Sequence, residues 1–415
     1  MNRLFHTYKL YGTAVWVRVV GTLLTKIAQF MMYPFLVLYM TEKFDSSVAV
    51  ITAVIGLESV AGFAINLFFG GLSDRIGRKP TMMLSLAVQS ICLTAFVFVD
   101  SLWAFALFIT LMGAGSYMFF PAADAQIADM VPEENRAKVY GMLGTAASIG
   151  IAAGPMIGLF AFRTNPSLVF MFFVFVSLLY LLLVWWKIPE TLPEQARAKA
   201  KKKETHFFKI SVRKHKQLFL FTLLTVPTSL LACQNWSTFP LFLQVRIPDN
   251  YEWIYSSLLS IGSIASIVLQ MWIASLVENK KSHRIVLIGY MLAMLSALGY
   301  AFSLSFGPLV ASRIVAVIGG ILYGIHLEKS ISVWAPEEMR GRYFSIFGLH
   351  WRVSEAIGPF LGGVLLSSFG GAAMFAVFAV LLLVAGVFQS RLLARIDRNG
   401  GSIQPQPASA PATPK

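Results

Sequence analysis

Four acidic side chains stand inside long apolar stretches of this sequence and are its candidates for proton chemistry. They are Glu58, Asp124, Glu328 and Glu355. An ionisable group inside a membrane-spanning segment is costly, so such groups usually face a cavity or a partner. A carboxyl group that is neutral when buried and charged when wetted can carry a proton. Glu58 is the first candidate for proton coupling, because its sequence neighbours include no counter-ion.

Two of these acids also have a purely structural interpretation. Glu58 and Lys26 are predicted to lie at similar depth on neighbouring helices, where a fixed ion pair would neutralise both. Glu355 follows Arg352 by three residues, which places the two side chains on the same face of a helix. The sequence leaves proton coupling and permanent pairing open as alternatives.

Cations within apolar stretches, and bulky residues with a polar handle, are the candidates for contact with a small molecule. Such side chains combine apolar contact area with a hydrogen bond or a charge. The candidates for the substrate cavity are Lys26, Tyr33, Tyr117, Phe120, Asn235, Trp236, Arg313, Trp351 and Arg352. The cations among them alternatively suit an anionic substrate.

Enzyme chemistry has little support in the sequence. It contains no nucleotide-binding loop, no His/Glu metal pair at helical spacing and no nucleophile elbow. Its two cysteines, Cys92 and Cys233, offer neither a disulfide framework nor metal-ligand spacing. We therefore predict no enzyme, no catalytic residue, no metal site and no cofactor.

The segments that carry these residues are apolar enough to cross a membrane. Of the 415 residues 57% are hydrophobic and 13% are charged, and the mean hydropathy is +0.69. Apolar runs of about 20 residues select helices, which satisfy their own backbone hydrogen bonds in hydrocarbon. Twelve spanning helices are predicted, over residues 14–40, 46–72, 80–99, 102–130, 137–161, 167–186, 218–244, 252–277, 284–306, 309–334, 341–367 and 371–394. This predicts an all-α membrane protein.

The distribution of positive charge predicts the topology of the chain. The net charge is +14, and most of the 34 Lys and Arg residues fall in the termini and in alternate loops. Positive loops mark the cytoplasmic side, so both termini are predicted to be cytoplasmic and no nucleic-acid partner is expected. The predicted divisions are 1–186 and 218–395 as helical domains, 187–217 as a basic linker against membrane lipids, and 396–415 as a disordered tail.

The two halves of the chain repeat one another at a constant offset. Residues 132–158 match residues 336–362 in the positions of Pro, Glu and Gly, and the same offset places Asp124 on Glu328. Homologous halves predict a pseudo-twofold axis along the membrane normal and a central cavity. Near the ends of their spans, Asp124 and Glu328 are then either two proton sites or two braces for a gate.

The charged loop after the second predicted helix carries the most specific motif. It contains Gly70, Leu72, Ser73, Asp74, Arg75, Gly77, Arg78 and Lys79. This run resembles the loop signature of the major facilitator superfamily, with Ser73 in place of the family's Ala. The resemblance covers residues 10–395 and implies two pseudo-symmetric six-helix bundles in a monomer. It also implies a gating role. In that role Arg78 pairs with Asp129, while Asp74, at the start of the predicted helix 80–99, contacts residues 340–341.

A second motif lies in the predicted span 137–161 and contains Gly150, Gly154, Pro155 and Gly158. It resembles the antiporter signature of the drug:proton branch of the superfamily, with Leu159 in place of the final Gly. Small residues four apart also let helices approach closely, so a packing face is the alternative. The family's fourth-helix arginine is replaced here by Ile109.

Together these features predict a secondary active transporter. The leading hypothesis is a proton-coupled exporter of lipophilic or cationic small molecules, as in multidrug efflux, that works by alternating access in a bacterial cell membrane. Its expected partners are a small-molecule substrate, protons and membrane lipids, and the proton gradient supplies the energy. The alternatives are proton-coupled transport of an anionic metabolite or lipid-like substrate, and a non-transporting membrane sensor.

Overall fold

Long apolar runs fold as helices throughout the described part of this computed structural model, which covers residues 2–69, 72–192, 215–335 and 340–398. The described residues contain no strand and form fourteen helices. These are α1 (Asn2–Lys43), α2 (Val48–Phe69), α3 (Leu72–Ile76), α4 (Arg78–Phe98), α5 (Leu102–Met130), α6 (Glu133–Thr164), α7 (Pro166–Lys187), α8 (Lys216–Gln234), α9 (Phe239–Arg246), α10 (Tyr251–Val277), α11 (Ser282–Phe302), α12 (Phe306–Trp334), α13 (Arg340–Phe347) and α14 (Leu349–Arg398). Within the described ranges, 11 helical segments are long and apolar enough to span a membrane.

Helix boundaries depart from the prediction where proline or glycine interrupts an apolar run. The predicted single helix over 218–244 is wrong, because α8 ends at Gln234 and α9 begins at Phe239. Pro240 lies in the first turn of α9, where its missing N–H costs no helical hydrogen bond. Gly370 has a φ of 79° and lies between the predicted spans 341–367 and 371–394. The first of these spans is not a single helix, because α13 ends at Phe347 and α14 begins at Leu349.

Residue contacts divide the chain into two compact units. The first unit comprises residues 1–207, 233–264 and 355–370, and the second comprises residues 208–232, 265–354 and 371–415. Most of the predicted linker (193–214) and of the predicted tail (399–415) lies outside the described residues. The boundaries predicted at 186, 218 and 395 therefore stay predictions.

In the first unit, α1 packs along α6 and α7, and α5 packs along α2 and α4. Aromatic rings fill its core: Phe96 stacks on Phe105 at 4.3 Å, and Phe35 stacks on Phe162 at 4.9 Å between ring centroids. Lipid tails are as apolar as these side chains, so close packing rather than escape from water holds such helices together. The position of α1, which carries Lys26, depends on these contacts.

The antiporter-like motif forms the face of α6 that packs against α1. A Cβ atom on Gly154 would lie 2.6 Å from the Cβ of Phe30, and one on Gly158 would lie 2.6 Å from the carbonyl oxygen of Met31. A Cβ atom on Gly150 would lie at the same distance from the Cβ of Lys26. This geometry fits the packing interpretation of the motif, and its role in exchange stays a prediction.

In the second unit, α11 packs along α12. Tyr290 of α11 lies edge-on to Tyr323 of α12 at 5.4 Å, and its hydroxyl donates to the carbonyl oxygen of Leu224 at 3.0 Å. The ring of Phe221 on α8 contacts that of Trp334 on α12, with 5.2 Å between the ring centroids. These rings hold α8, α11 and α12 together, and α8 and α12 both contribute to the second-unit cavity described below.

The start of α4 is fixed by a carboxylate that follows α7. Glu190 accepts hydrogen bonds from the backbone N–H groups of Arg78 at 3.0 Å and of Lys79 at 3.2 Å. The first N–H groups of a helix have no partner within the helix, and its positive end favours an anion. Gly77 precedes them with a φ of 112°, and a Cβ there would collide with the Glu190 carboxylate. Glycine at position 77 is therefore required for this cap.

The α6 packing face predicts a difference between two glycines of the same helix. Gly154→Val inserts a side chain into backbone and side-chain atoms of α1, and overpacking of this kind costs about 1–3 kcal/mol. Gly144→Val is the matched control, because a Cβ on Gly144 has no neighbour within 4 Å. We expect a lower thermal midpoint of the purified protein for Gly154→Val only. Equal midpoints for the two variants would contradict the packing interpretation.

The cap on α4 predicts a graded response at Glu190. Glu190→Ala removes every acceptor from the start of the helix and should cost about 1 kcal/mol, as the loss of a helix cap typically does. Glu190→Gln keeps one acceptor oxygen and should fall between Ala and the native residue. Asp45→Ala, which removes an exposed acid elsewhere in the unit, is the control. Thermal midpoints measure the series, and a midpoint of Glu190→Ala equal to that of Asp45→Ala would refute the cap.

Candidate functional site

Glu58 of α2 is buried in the first unit, at 7% exposure, and its carboxylate accepts a hydrogen bond from the hydroxyl of Tyr33 on α1. No cation of the described residues lies within ion-pair distance of it. Lys26 instead donates from Nζ to Oε1 of Gln29 at 2.7 Å. The alternative of a fixed Glu58–Lys26 ion pair is therefore wrong, and the partner of the acid is a neutral phenol.

A second tyrosine–glutamate pair lies in the same unit. The hydroxyl of Tyr117 on α5 donates to Oε2 of Glu355 on α14 at 2.9 Å. The carboxyl group of Glu355 also interacts electrostatically with Glu58 and with Lys26. We call Tyr33, Glu58, Tyr117 and Glu355 the tyrosine–glutamate cluster. Two interacting carboxylates repel each other when both are charged, so a proton on either one relieves the repulsion.

A cavity in the first unit adjoins this cluster. Its lining includes Lys26, Gln29 and Tyr33 of α1 and the ring of Phe120 of α5, and none of its described lining residues is acidic. Lys26 lies over the Phe120 ring at 5.3 Å. Thr25 also lines this first-unit cavity, and its buried hydroxyl has no hydrogen-bond partner. The cavity therefore offers a cation and an unused hydroxyl, while Tyr33 connects it to Glu58.

Arg18, a further cation of α1, supports the wall of the first-unit cavity. It is 3% exposed, its Nη1 donates to the hydroxyl of Tyr180 at 2.7 Å, and its guanidinium lies over the Phe119 ring at 5.3 Å. Both rings line the cavity. Asp124 is exposed and interacts with Arg18 only electrostatically, without a hydrogen bond. The structure therefore does not bring Asp124 into the tyrosine–glutamate cluster.

A cavity in the second unit contains two of the predicted site residues, Glu328 and Trp351. The space between its walls is about 390 Å³, including the open side. The further lining residues are Thr225, Thr228 and Ser229 of α8, Tyr323, Gly324 and Leu327 of α12, Phe347 of α13 and His350 of α14. The Oγ of Ser229 and the Nδ1 of His350 are hydrogen-bonded at 2.6 Å. Among the described lining residues there is no Lys or Arg.

The remaining candidate cavity residues lie elsewhere. Asn235, Trp236, Arg313 and Arg352 are not among the residues that line the first-unit or second-unit cavity. Trp236 packs edge-on against Phe30 at 5.5 Å. Arg313 lies beside the hydroxyl of Tyr300. The backbone carbonyl oxygen of Asn235 accepts a hydrogen bond from the hydroxyl of Tyr255. Substrate contact by these four residues stays a prediction.

The gating motif forms a charged network at the loop between α2 and α4. Arg78 pairs with the carboxylate of Asp74 and, through Nε, with Oδ2 of Asp129 at 3.4 Å. Its Nη1 also donates to Oγ of Ser73 at 2.8 Å. Arg78 and Asp129 are thus in the contact that the family resemblance implies. The gating role itself stays a prediction.

Other parts of that motif differ from the prediction or lie outside it. Asp74 does not open the helix of the predicted span 80–99, because it belongs to the separate short helix α3. Arg75 is exposed at the end of α3. Gly70 and the side chains of residues 340–341 lie outside the described residues. The predicted contact of Asp74 with that segment therefore stays a prediction.

Two residues of this network escape a reading of the sequence. Glu190 lies within the predicted basic linker 187–217, yet it caps α4, and Thr191 donates from Oγ1 to Oδ2 of Asp129 at 3.0 Å. Lys79 contacts the end of α7, because its Nζ donates to the backbone carbonyl oxygen of Trp185 at 2.7 Å. The only sequence signal is an acid directly after a long apolar run, which is weak on its own.

Known proteins of one family resemble the chain over nearly its whole length. A sequence model of the Major Facilitator Superfamily matches residues 19–327 and 308–414. The chain is 33% identical over 398 residues to the uncharacterized MFS-type transporter YhjO of Bacillus subtilis (strain 168), covering 95% of this chain and 96% of the relative.

Relatives with a named activity are more distant. The Na(+), Li(+), K(+)/H(+) antiporter of Planococcus maritimus is 24% identical, with 85% of this chain and 89% of the relative covered. The multidrug resistance protein MdtG of Enterobacter lignolyticus (strain SCF1) is 24% identical, with 92% of each covered.

Solved structures agree on the fold. A crystal structure of a POT family transporter in complex with 5-aminolevulinic acid superimposes with a TM-score of 0.75 at 14% identity, covering 93% of this chain and 98% of that chain. At this identity the likeness concerns the fold alone. The match of the family model over most of the sequence, together with the helical membrane architecture, places the chain among transporters rather than enzymes. This multi-pass membrane protein belongs to the major facilitator superfamily.

Proposed function

We propose that this transporter is a proton-coupled exporter of lipophilic or cationic small molecules that works by alternating access. The observation that carries the proposal is the state of Glu58, which is buried and hydrogen-bonded to Tyr33 without a neutralising cation among the described residues. A permanent ion pair would lock the carboxyl group in its charged form. A phenol partner leaves it free to take up and release a proton as its surroundings change.

The tyrosine–glutamate cluster supplies the chemistry of coupling. When Glu58 is protonated, the repulsion between it and Glu355 is relieved and the closed, dry cluster is favoured. When the cluster is wetted, water stabilises the carboxylate and the proton leaves. The proton gradient is thus the energy source, and no resident cofactor is invoked. The antiporter from Planococcus maritimus and MdtG, whose names specify proton exchange and multidrug resistance, support this direction.

The charged network around Arg78 is proposed to act as the gate. Its contacts with Asp74 and Asp129 are partly exposed, and exposed ion pairs are worth only about 0.2–1 kcal/mol each. Such contacts can break and re-form within a transport cycle. We place the protein as a monomer in a bacterial cell membrane, with both termini in the cytoplasm and its basic segments against lipid headgroups.

A second candidate function is transport of an organic anion. The first-unit cavity favours it, because Lys26 and the Thr25 hydroxyl, which has no hydrogen-bond partner in the described structure, both line a space whose described lining contains no acidic side chain. An anionic group would satisfy both donors at once. In this alternative Glu58 still carries the proton, and Tyr33 links the proton site to the substrate.

Replacing the buried acid tests the coupling. In inverted membrane vesicles with an imposed proton gradient, the native chain is expected to accumulate a fluorescent lipophilic cation, and Glu58→Gln to abolish that accumulation because its side chain cannot ionise. Glu42→Gln, which changes an exposed acid at the end of α1, is the matched control and should retain it. Accumulation unchanged in Glu58→Gln would remove this residue from the mechanism.

The same vesicles separate the two candidate functions. If the native chain moves no cation, a fluorescent organic anion is offered under the same gradient, together with Lys26→Gln. Accumulation of the anion that is lost in Lys26→Gln would establish the second candidate. Transport of neither probe would contradict both.

A further inference from the structure

The second-unit cavity has the composition of a site for an organic cation. Among the described lining residues Glu328 is the one acid or basic cation, and three aromatic side chains, Tyr323, Phe347 and Trp351, line the same space. A carboxylate with several aromatic rings attracts quaternary ammonium groups, through Coulomb attraction and through the negative faces of the rings. The cavity thus differs in sign from the first-unit cavity, which is lined by Lys26.

Glu328 has no ion-pair partner among the described residues. The adjacent cation, Lys329, is engaged elsewhere, because its Nζ donates to the carbonyl oxygen of Glu278 at 2.5 Å. A carboxylate that lines a cavity and has no ion-pair partner in the described part of the chain is available to a cation from outside.

Other polar side chains that line the second-unit cavity are already hydrogen-bonded. Ser229 and His350 are hydrogen-bonded to each other at 2.6 Å, and Thr225 and Thr228 donate their hydroxyl protons to backbone carbonyl oxygens of α8. A hydroxyl oxygen has two lone pairs, and one of those on Thr225 already accepts from Nε2 of Gln389 at 3.5 Å. The remaining lone pairs are acceptors for an electropositive group, which suits the same class of ligand as Glu328.

We propose that the second-unit cavity binds the cationic group of the transported molecule, with Glu328 as its counter-ion and Trp351 and Tyr323 against its apolar part. The ligand class is a quaternary or tertiary ammonium compound that carries an aromatic or aliphatic group. The inference rests on the proposed export function and deepens it, because it names the substrate class and assigns it a site. It also separates the substrate acid, Glu328, from the proton acid, Glu58.

Binding without a gradient tests the cavity directly. Phenyltrimethylammonium is titrated by calorimetry into the purified full-length protein, and benzenesulfonate, of similar shape and opposite charge, is the paired probe. We expect the ammonium compound to bind and Glu328→Gln to raise its Kd at least about tenfold, since a cation in the cavity would lose its counter-ion. Glu278→Gln, an exposed acid of the same unit outside the cavity, should leave the Kd unchanged.

Further variants guard against loss of the fold. Glu328→Asp retains the charge and should bind phenyltrimethylammonium more tightly than Glu328→Gln does. Trp351→Leu should weaken binding of the same compound, because it removes a ring face. Thermal midpoints close to that of the native protein establish that these variants are folded. The proposal is overturned if Glu328→Gln and Trp351→Leu both bind within twofold of the native protein, or if benzenesulfonate binds more tightly than phenyltrimethylammonium.

The outcome is distinguishable from failure of the export function. Ammonium binding that depends on Glu328, in a protein that shows no gradient-driven flux, would support the cavity and contradict proton-coupled export. Flux that depends on Glu58, with ammonium binding that Glu328→Gln leaves unchanged, would support export and overturn this site. In the native mechanism Glu58→Gln should abolish flux, while binding of phenyltrimethylammonium by that variant should still be lost on adding Glu328→Gln.

Discussion

The hydrogen bond between Tyr33 and Glu58 allows a carboxyl group to lie inside a membrane protein without a cation. In hydrocarbon every buried polar group needs a partner within the protein, and the choice of partner decides what the group can do. A lysine or arginine would fix the charge of the acid, whereas a phenol satisfies it in either protonation state. The packing of α1 matters for this reason, since Tyr33 reaches α2 only because α1 is held in place. The close approach of α6 to α1 at Gly150, Gly154 and Gly158 is part of that support.

Charged residues near the helix ends follow a different rule. Arg78 contacts two carboxylates, Asp74 and Asp129, and the adjoining backbone is capped by Glu190. These groups are partly exposed, so each contact is weak and several are needed to hold one arrangement. A network of weak contacts is stable as a whole and yet can be exchanged for another network without a large barrier. Such a device suits a gate better than a buried ion pair, whose separation would leave a desolvated charge.

The sequence predicts the helices well and the pairing of side chains poorly. Apolar length sets where a helix can span a membrane, so the described helices follow most of the predicted runs. The exceptions are the run divided by the turn before Pro240 and the run divided at Gly348. The sequence also identifies the candidate acids, because an acidic residue in an apolar run is easily recognised. It does not identify the residues that these acids contact. Tyr117 and Glu355 are 238 positions apart, and depth in a helix does not specify which neighbouring helix a side chain meets. The Glu58–Lys26 pair failed for that reason, since Gln29, one turn along α1, satisfies Lys26 locally.

The two cavities bear on how exchange between a proton and a substrate could be coupled. If one acid bound both, proton and cation would exclude each other by direct competition, and a single substitution would abolish both. Here the acid with the phenol partner, Glu58, lies in the first unit, and the acid with the aromatic neighbours, Glu328, lies in the second. With separate acids, competition cannot supply the coupling, and a change of conformation must make the affinity of one site depend on the occupancy of the other. A ligand shifts such an equilibrium only by its difference in affinity between the two conformations. In the proposed mechanism Glu58 would meet this requirement because its carboxylate is favoured in the conformation that water enters. Glu328 would meet it if the aromatic rings close around the cation in only one conformation.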